Sequence, residues 1–189
     1  MGDYMYENLS RYELMHLIKI KDDKINLLEE KICCLTRSRD IDSLTGLYNR
    51  NVVNEAYINS SSIIMCDVDN FKEINDFYGH NGGDLVLKQI SIILKDCVRS
   101  SDYVLRWGGE EFLIFVNCDL NDAYNLAERI RRKVKNISIS YGETYISNIS
   151  MSFGVSFVSS SFISDIESAD RALYKSKTNG KDQVNVFKL

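Results

Sequence analysis

The sequence predicts an α/β (α+β) fold, a mixed and mainly antiparallel central β-sheet flanked by helices and preceded by an N-terminal coiled-coil helix. Three observations carry this reading. Apolar residues keep a 4-3 spacing from Leu14 to Leu35. Beyond Asp40, apolar runs of strand length alternate with segments of helical period. Gly108-Gly109 lies between two such runs, where a hairpin turn needs glycine.

The heptad seam consists of Leu14, Ile18, Lys21, Ile25, Leu28, Ile32 and Leu35, with charged residues between them. At roughly three heptads it reaches the minimum for a two-stranded stalk, and it also fits an amphipathic helix lying on the domain's own core. Lys21 places a charge in the seam, although its long stem can cover the neighbouring layer. The polar stretch Thr36-Arg37-Ser38-Arg39-Asp40 ends the heptads. It separates an N-terminal helical stalk, 1–39, from a folded domain, 40–189.

Within the domain, Ile63-Ile64-Met65-Cys66 reads as a buried strand closing on the acidic residues Asp67 and Asp69. Phe71 to Tyr78 is amphipathic, and Gly82-Gly83-Asp84 is expected to open a further helix with the apolar face Leu85, Leu87, Ile90, Ile93 and Leu94. Asp84 then sits near a helix N-terminus, where a carboxylate is favoured. Tyr103-Val104-Leu105 and the run Phe112 to Val116 are strands joined across Trp107-Gly108-Gly109-Glu110-Glu111. Asp122 to Val134 is helical by period, Ile149 to Val158 is strand-like, Ile166 to Lys177 is helical and ends near Gly180, and Val184 to Phe187 is a last short strand.

Composition narrows the function classes. The chain has 189 residues, 27 acidic and 23 basic, for a net charge of −4. That balance, with no lysine-arginine block, argues against a nucleic-acid partner or an anionic membrane surface, while a local cationic pocket for phosphates stays open. No apolar run reaches the length of a membrane span, and Met1-Gly2-Asp3-Tyr4 lacks the pattern of a secretory signal, so the expected location is the cytoplasm. Cys33, Cys34, Cys66, Cys97 and Cys118 form no C-x-x-C pair, and His16 and His80 add no zinc spacing, so they read as free thiols. Proline is absent, which leaves boundaries to glycine, asparagine and periodicity.

Two acidic clusters are the candidates for chemistry: Asp67 and Asp69 at a strand end, and Glu110 and Glu111 at the hairpin tip. If the strands are neighbours the carboxylates converge, and hard oxygen ligands at a strand end suit magnesium, which keeps waters and substrate phosphates as its other ligands. Taken alone, an Asp-x-Asp is as readily a solvated strand end. Asn75 and Asp84 can read a base edge, because a carboxylate accepts from both N1-H and the exocyclic amine of guanine, a pattern adenine does not offer. Gly108 and Gly109 remove side chains beside the carboxylates, so that backbone can approach a phosphate or a second substrate. Lys177 and Lys181 lie four residues apart and can hold a polyphosphate, the alternative being an ordinary solvated lysine face.

Trp107-Gly108-Gly109-Glu110-Glu111-Phe112 closely resembles the signature of GGDEF domains, in its GGEEF form, found in diguanylate cyclases. The resemblance extends over nearly everything from Asp40 onward. It takes in Asp42-Ser43-Leu44-Thr45-Gly46-Leu47-Tyr48-Asn49-Arg50, the block from Asp67 to Asp84, Ser152-Phe153-Gly154-Val155, and Ala169-Asp170-Arg171-Ala172-Leu173-Tyr174-Lys175-Ser176-Lys177.

It implies a palm-like nucleotidyl cyclase fold with the signature on a β-hairpin. It also implies condensation of two GTP into cyclic di-GMP with release of two pyrophosphates. Asp67, Glu110 and the backbone carbonyl of Val68 would bind magnesium, with manganese as a substitute. Asn75 and Asp84 would recognise guanine, and Phe71, Lys72, Lys177 and Lys181 would surround the triphosphate. Glu111 would support the site and the second substrate, and Asp42 would pair with Arg50 at the start of the domain. Each domain would hold one GTP, so two must face each other, and a homodimer through the N-terminal helix would raise their effective concentration.

Arg99-Ser100-Ser101-Asp102 resembles the family's product-inhibition R-x-x-D, with Arg129 as a partner on the same cyclic di-GMP. Two departures stand out: Lys181 and Asp182 occupy positions where the family more often has arginine and asparagine. A GGDEF domain that binds GTP or cyclic di-GMP as a regulatory receptor, without turnover, is the alternative.

Overall fold

The computed structural model describes residues 10–159 and 161–187, apart from the side chains at 30 and 32–38. The chain divides into two compact units, Met1–Arg39 and Asp40–Leu189. Helix α1, Arg11–Asp40, opens on a reciprocal cap. The Ser10 backbone N–H and hydroxyl donate to Glu13 Oε2 at 2.8 and 2.7 Å, and the Glu13 N–H returns a bond to Ser10 Oγ at 3.3 Å. Each residue thereby satisfies a donor that the first turn would otherwise leave bare. Of the seam, Leu14, Ile18, Ile25 and Leu28 are exposed, while the side chains of Ile32 and Leu35 lie outside the described residues. The helix runs on through the polar stretch that ends the heptads.

The second unit is built on a six-stranded sheet in the order β1-β3-β4-β2-β7-β8. In chain order the elements are β1 (Tyr48–Asn49), a short 3-10 turn leading into α2 (Val53–Ile58), β2 (Ser62–Val68), α3 (Phe71–Cys97), β3 (Tyr103–Arg106), β4 (Glu111–Val116), α4 (Leu120–Lys135), β5 (Ile139–Tyr141), β6 (Thr144–Ile146), β7 (Met151–Phe157), α5 (Phe162–Thr178) and β8 (Val184–Val186). The inner pairings β3-β4, β4-β2 and β2-β7 are antiparallel, and only the edges β1-β3 and β7-β8 are parallel. The mixed, mainly antiparallel sheet flanked by helices is therefore the one the pattern predicts. β5 and β6 form a separate hairpin.

β2 is buried at every residue, which is why it reads as an unbroken apolar run. Its alternate residues serve two cores. Ile64, Cys66 and Val68 face α3 and α4 together with Phe112, Ile114 and Phe153. Ile63 and Met65 face α2 and α5 together with Leu113 and Phe115.

The sequence reading differs from the structure at α3. The second helical half begins at once after Gly79, whose backbone is left-handed (φ 72°), and not at Gly82. Gly82 and Gly83 lie inside it for a packing reason. A Cβ on Gly82 would fall 2.5 Å from Tyr78 Cβ, and one on Gly83 would fall 2.0 Å from Asn75 Oδ1. The glycines let the two halves fold closely against each other. β1, α2 and the β5-β6 hairpin are too short for periodicity to reveal; the hairpin turns through Gly142 at φ 59°.

Gly154 marks a backbone-to-backbone approach of sheet and helix. A Cβ there would lie 2.1 Å from the Ala169 carbonyl oxygen and 2.2 Å from the Leu173 nitrogen, so α5 rests directly on the backbone of β7. Because both opposing atoms are backbone, no rotamer change can relieve the clash. Gly154→Ala is expected to lower the unfolding free energy by about 3 kcal/mol, read from urea denaturation; a change within about 0.5 kcal/mol would contradict this packing.

Candidate active site

The ends of β2 and β4 bring the acidic clusters together. Their antiparallel register sets Asp67 opposite Glu111, and the Val68 N–H donates to the Glu110 carbonyl at 3.2 Å. The hairpin is narrowed by bonds from the Trp107 and Gly108 N–H groups to the Glu111 carbonyl, 2.9 and 3.3 Å. At Gly108 a Cβ would fall 2.8 Å from Glu111 Oε2, so a side chain there would displace the Glu111 carboxylate from its present position. Gly109 has nothing within 4 Å of a Cβ position and leaves that side of the loop open.

Arg106, which the sequence reading missed, braces the loop. Its Nη2 and Nε donate to the Gly109 carbonyl at 2.8 and 3.2 Å, while Nη1 reaches Asp42 at 3.2 Å. The expected Asp42–Arg50 pair is thus replaced by Asp42–Arg106. The Arg106 side chain leaves the strand end toward the loop 42–45, whereas Arg50 belongs to the 3-10 turn. Asp42 also accepts from the Thr45 N–H and hydroxyl at 2.9 and 2.6 Å. Burial would raise its pKa, but the bonds from Thr45 and the Arg106 charge outweigh burial and hold it below the usual value.

Asp67 is buried and carries the main electrostatic tension of the site. Burial pushes its pKa from 3.8 up to about 6; the hydrogen bond and charge of Lys177 act against this, and Glu110 and Glu111 add to it as like charges. Lys177 Nζ stands 2.7 Å from Asp67 Oδ2. Asp69, expected beside Asp67, belongs to a different network. It accepts from the hydroxyls of Ser150 (2.7 Å) and Ser152 (2.6 Å) and from the Asp182 N–H (3.0 Å), which makes it a structural anchor. The signal was the alternation of Ser150, just before β7, and Ser152 within it, which only the fold turns toward Asp69.

Asn70 takes a left-handed backbone at φ 55° and gives α3 no side-chain cap; its Oδ1 accepts instead from Lys181 Nζ. The start of α3 is therefore an electropositive helix end without a side-chain cap, with the exposed Lys72 in its first turn and Lys181 bonded to Asn70. Phe71, expected among the phosphate ligands, buries its ring in the core, so only its backbone serves that end. Asn75 is half-buried and packs on Gly83, and Asp84 follows Gly83 with its side chain exposed. The two halves of α3 thus bring the guanine candidates onto one junction.

Arg99 and Asp102 close a turn between α3 and β3. The Arg99 N–H donates to Asp102 Oδ2 at 2.8 Å, and the Asp102 N–H to the Arg99 carbonyl at 3.1 Å. Both residues line a surface pocket together with Arg129, whose Nη2 bonds the Cys97 carbonyl at 2.8 Å. The Asp182 charge, a departure from the family pattern, is met by Arg131 at 2.8 Å and Lys135 at 3.0 Å.

Among the described residues no three His, Cys, Asp or Glu side chains gather to form a metal cage. Asp67 and Glu110 supply two carboxylates of mutually repelling charge, an oxygen-only set that fits magnesium when substrate phosphates complete its shell. No helix among the described residues is long and apolar enough to cross a membrane.

Comparison with known proteins agrees with this geometry. Residues 39–183 match the family model "Diguanylate cyclase, GGDEF domain". Diguanylate cyclase A of Treponema denticola is 46% identical over 130 residues, which cover 67% of this chain and 35% of that protein. This chain therefore spans about a third of that relative's length. Among solved structures, the coiled coil and GGDEF domain of DgcB from Caulobacter crescentus in complex with c-di-GMP superposes with a TM-score of 0.79 at 26% identity, covering 92% of this chain and 98% of that one. The diguanylate cyclase SiaD from Pseudomonas aeruginosa, in complex with its activator SiaC, gives 0.77 at 30% identity over 93% and 72%. The chain belongs to the GGDEF-domain family of diguanylate cyclases.

Proposed function

We propose that residues 40–189 are the catalytic domain of a cytoplasmic diguanylate cyclase of the GGEEF signature form, which condenses two GTP into cyclic di-GMP and two pyrophosphates. The observation that carries this is the strand register placing Asp67 opposite Glu111, with Glu110 on the adjoining loop, beside an α3 N-terminus that no side chain caps.

Asp67, Glu110 and the Val68 carbonyl would hold magnesium, for which manganese can substitute. Bound there, the ion supplies positive charge to the triphosphate and lowers the proton affinity of the attacking hydroxyl. The backbone N–H groups of Phe71 and Lys72 receive phosphate oxygens at the helix end, and Lys72, Lys177 and Lys181 balance the remaining charge. Asp84 accepts from N1-H and the exocyclic amine of guanine, and Asn75 completes that edge. Gly108 and Gly109 leave room for the second nucleotide, and Glu111, behind Gly108, holds the loop in shape. The 3′-oxygen of each GTP bonds to the α-phosphorus of the other, in two attacks that each break one bond to pyrophosphate and release one hydroxyl proton to solvent.

Each site holds one nucleotide, so two domains must meet. The exposed seam of α1 would supply that meeting as a homodimer, in which the encounter becomes intramolecular. The pocket of Arg99, Asp102 and Arg129 would take the product, its guanidiniums gripping phosphate or guanine and Asp102 accepting from guanine.

Incubation of ligand-stripped protein with GTP and magnesium should yield cyclic di-GMP and pyrophosphate by mass spectrometry, and Glu110→Ala should lose at least about a hundredfold in rate. A parent that binds GTP without forming product would instead be a receptor module. The magnesium concentration needed for half-maximal rate should rise as pH drops through about 6, where Asp67 of the metal-free protein takes up a proton that competes with the ion.

Stability should run the other way. The folded pKa of Asp67 is raised, so the folded state holds an extra proton between about pH 4 and 6, and the associated stability is lost as pH rises through that window. Asp67→Asn should therefore raise the unfolding free energy at pH 7 by about 1 kcal/mol while abolishing turnover; a destabilised variant would contradict this electrostatic picture. Arg99→Ala should relieve inhibition by added cyclic di-GMP with the initial rate kept within about twofold; inhibition equal to that of the parent would remove the product site from this pocket.

A further inference from the structure

Two non-glycine residues in succession, Lys181 (φ 63°) and Asp182 (φ 43°), take the left-handed backbone conformation directly after Gly180 (φ 108°). For a lysine this is disfavoured by contact between Cβ and the carbonyl, and it persists only where the surroundings over-determine it. Here they do. The Lys181 N–H donates to the Ser176 carbonyl at 3.0 Å, and the Asp182 N–H to Asp69 Oδ2 at 3.0 Å.

The Asp182 carboxylate is held from the other side. Arg131 Nη1 reaches its Oδ1 at 2.8 Å and its backbone carbonyl at 3.2 Å, and Lys135 Nζ reaches its Oδ2 at 3.0 Å. Arg131 is in turn oriented by Glu128, through Nε at 3.1 Å and Nη2 at 3.2 Å. Glu128, Arg131, Asp182 and Lys135 thus alternate in sign along a ladder, half-buried except at the exposed Lys135, that joins α4 to the 180–182 turn. At the far end of the turn, Lys181 Nζ is delivered to Asn70 Oδ1 at the uncapped start of α3.

We propose that Asp182 is a positioning residue for the nucleotide's triphosphate. Docked on Arg131 and Lys135, it locks the left-handed turn that aims Lys181 at the α3 N-terminus. Its negative charge is matched by those two cations, so it holds the turn without repelling the phosphates that Lys181 serves. The inference rests on the reading of Lys181 as a triphosphate ligand. It adds that the ladder on α4, outside the nucleotide cleft, sets the affinity for the polyphosphate.

A double-mutant cycle tests this, read by calorimetric titration with magnesium and guanosine 5′-[α,β-methylene]triphosphate, whose bridging carbon prevents turnover. Lys181→Ala and Asp182→Ala should each weaken binding about tenfold, the scale of one lost charge-assisted contact. The double variant should bind no more weakly than Lys181→Ala alone, because Asp182 acts through Lys181. With GTP, Asp182→Ala should raise KM by a similar factor while kcat stays within about twofold. Asp182→Asn, which keeps an oxygen for Arg131, should recover part of the loss.

Unchanged binding in Asp182→Ala, or losses that multiply in the double variant, would overturn the proposal. If Asp182→Ala does not fold, Lys135→Gln takes its place, and an affinity equal to that of the parent overturns it as well. A parent that binds the analogue yet makes no cyclic di-GMP overturns the cyclase reading alone, and the cycle still decides the role of Asp182.

Discussion

The site depends on one electrostatic constraint, a buried carboxylate held next to two others. Asp67 has to sit beside Glu110 and Glu111 despite their repulsion, and the force that holds them there is the β2-β4 ladder, anchored by two apolar cores on opposite faces of the sheet. A cation relieves the tension. Lys177 relieves part of it from within the chain. Local destabilisation is thereby stored in the folded state at these carboxylates, the usual relation between a functional site and its scaffold.

Around that centre, the accuracy of the site comes from close backbone approach and not from large side chains. Gly83 lets the two halves of α3 touch at Asn75, Gly108 makes room for the Glu111 carboxylate, and Gly154 seats α5 on β7. Arg106 then spans the hairpin loop and the Asp42 turn with a single guanidinium, so that the loop carrying Glu110 is fixed at both its carbonyl and its strand.

Much of this was legible in the sequence because it rests on period and on motif. β2, β4, β7, α4 and α5 follow from apolar runs and helical spacing, and the acidic residues at the strand ends announced themselves. What the sequence hid was relational. Arg106 looks like any strand-end arginine until the fold brings Asp42 beside it, and Asp69 looks like a second metal ligand until the fold turns Ser150 and Ser152 toward it. The start of the second half of α3 was misplaced because Gly82-Gly83 resembled a boundary. Its glycines serve contact with Asn75 and Tyr78, and the turn itself is made by Gly79. The charge on Asp182 could be noted as a departure from the family pattern, but not its neutralisation by Arg131 and Lys135, which lie on another element.

The contact of α5 with β7 has a consequence for how such a sequence can diverge. Side-chain packing drifts as cores are repacked, because one aliphatic residue can replace another at modest cost. At Gly154 the spacing between helix and strand is set by main-chain atoms, which every sequence shares. Lys177, further along the same helix, inherits that spacing and not the identity of the surrounding core. The core can accumulate neutral substitutions while the lysine keeps its distance from the acidic centre, so the domain's chemistry is insulated from the history of its interior.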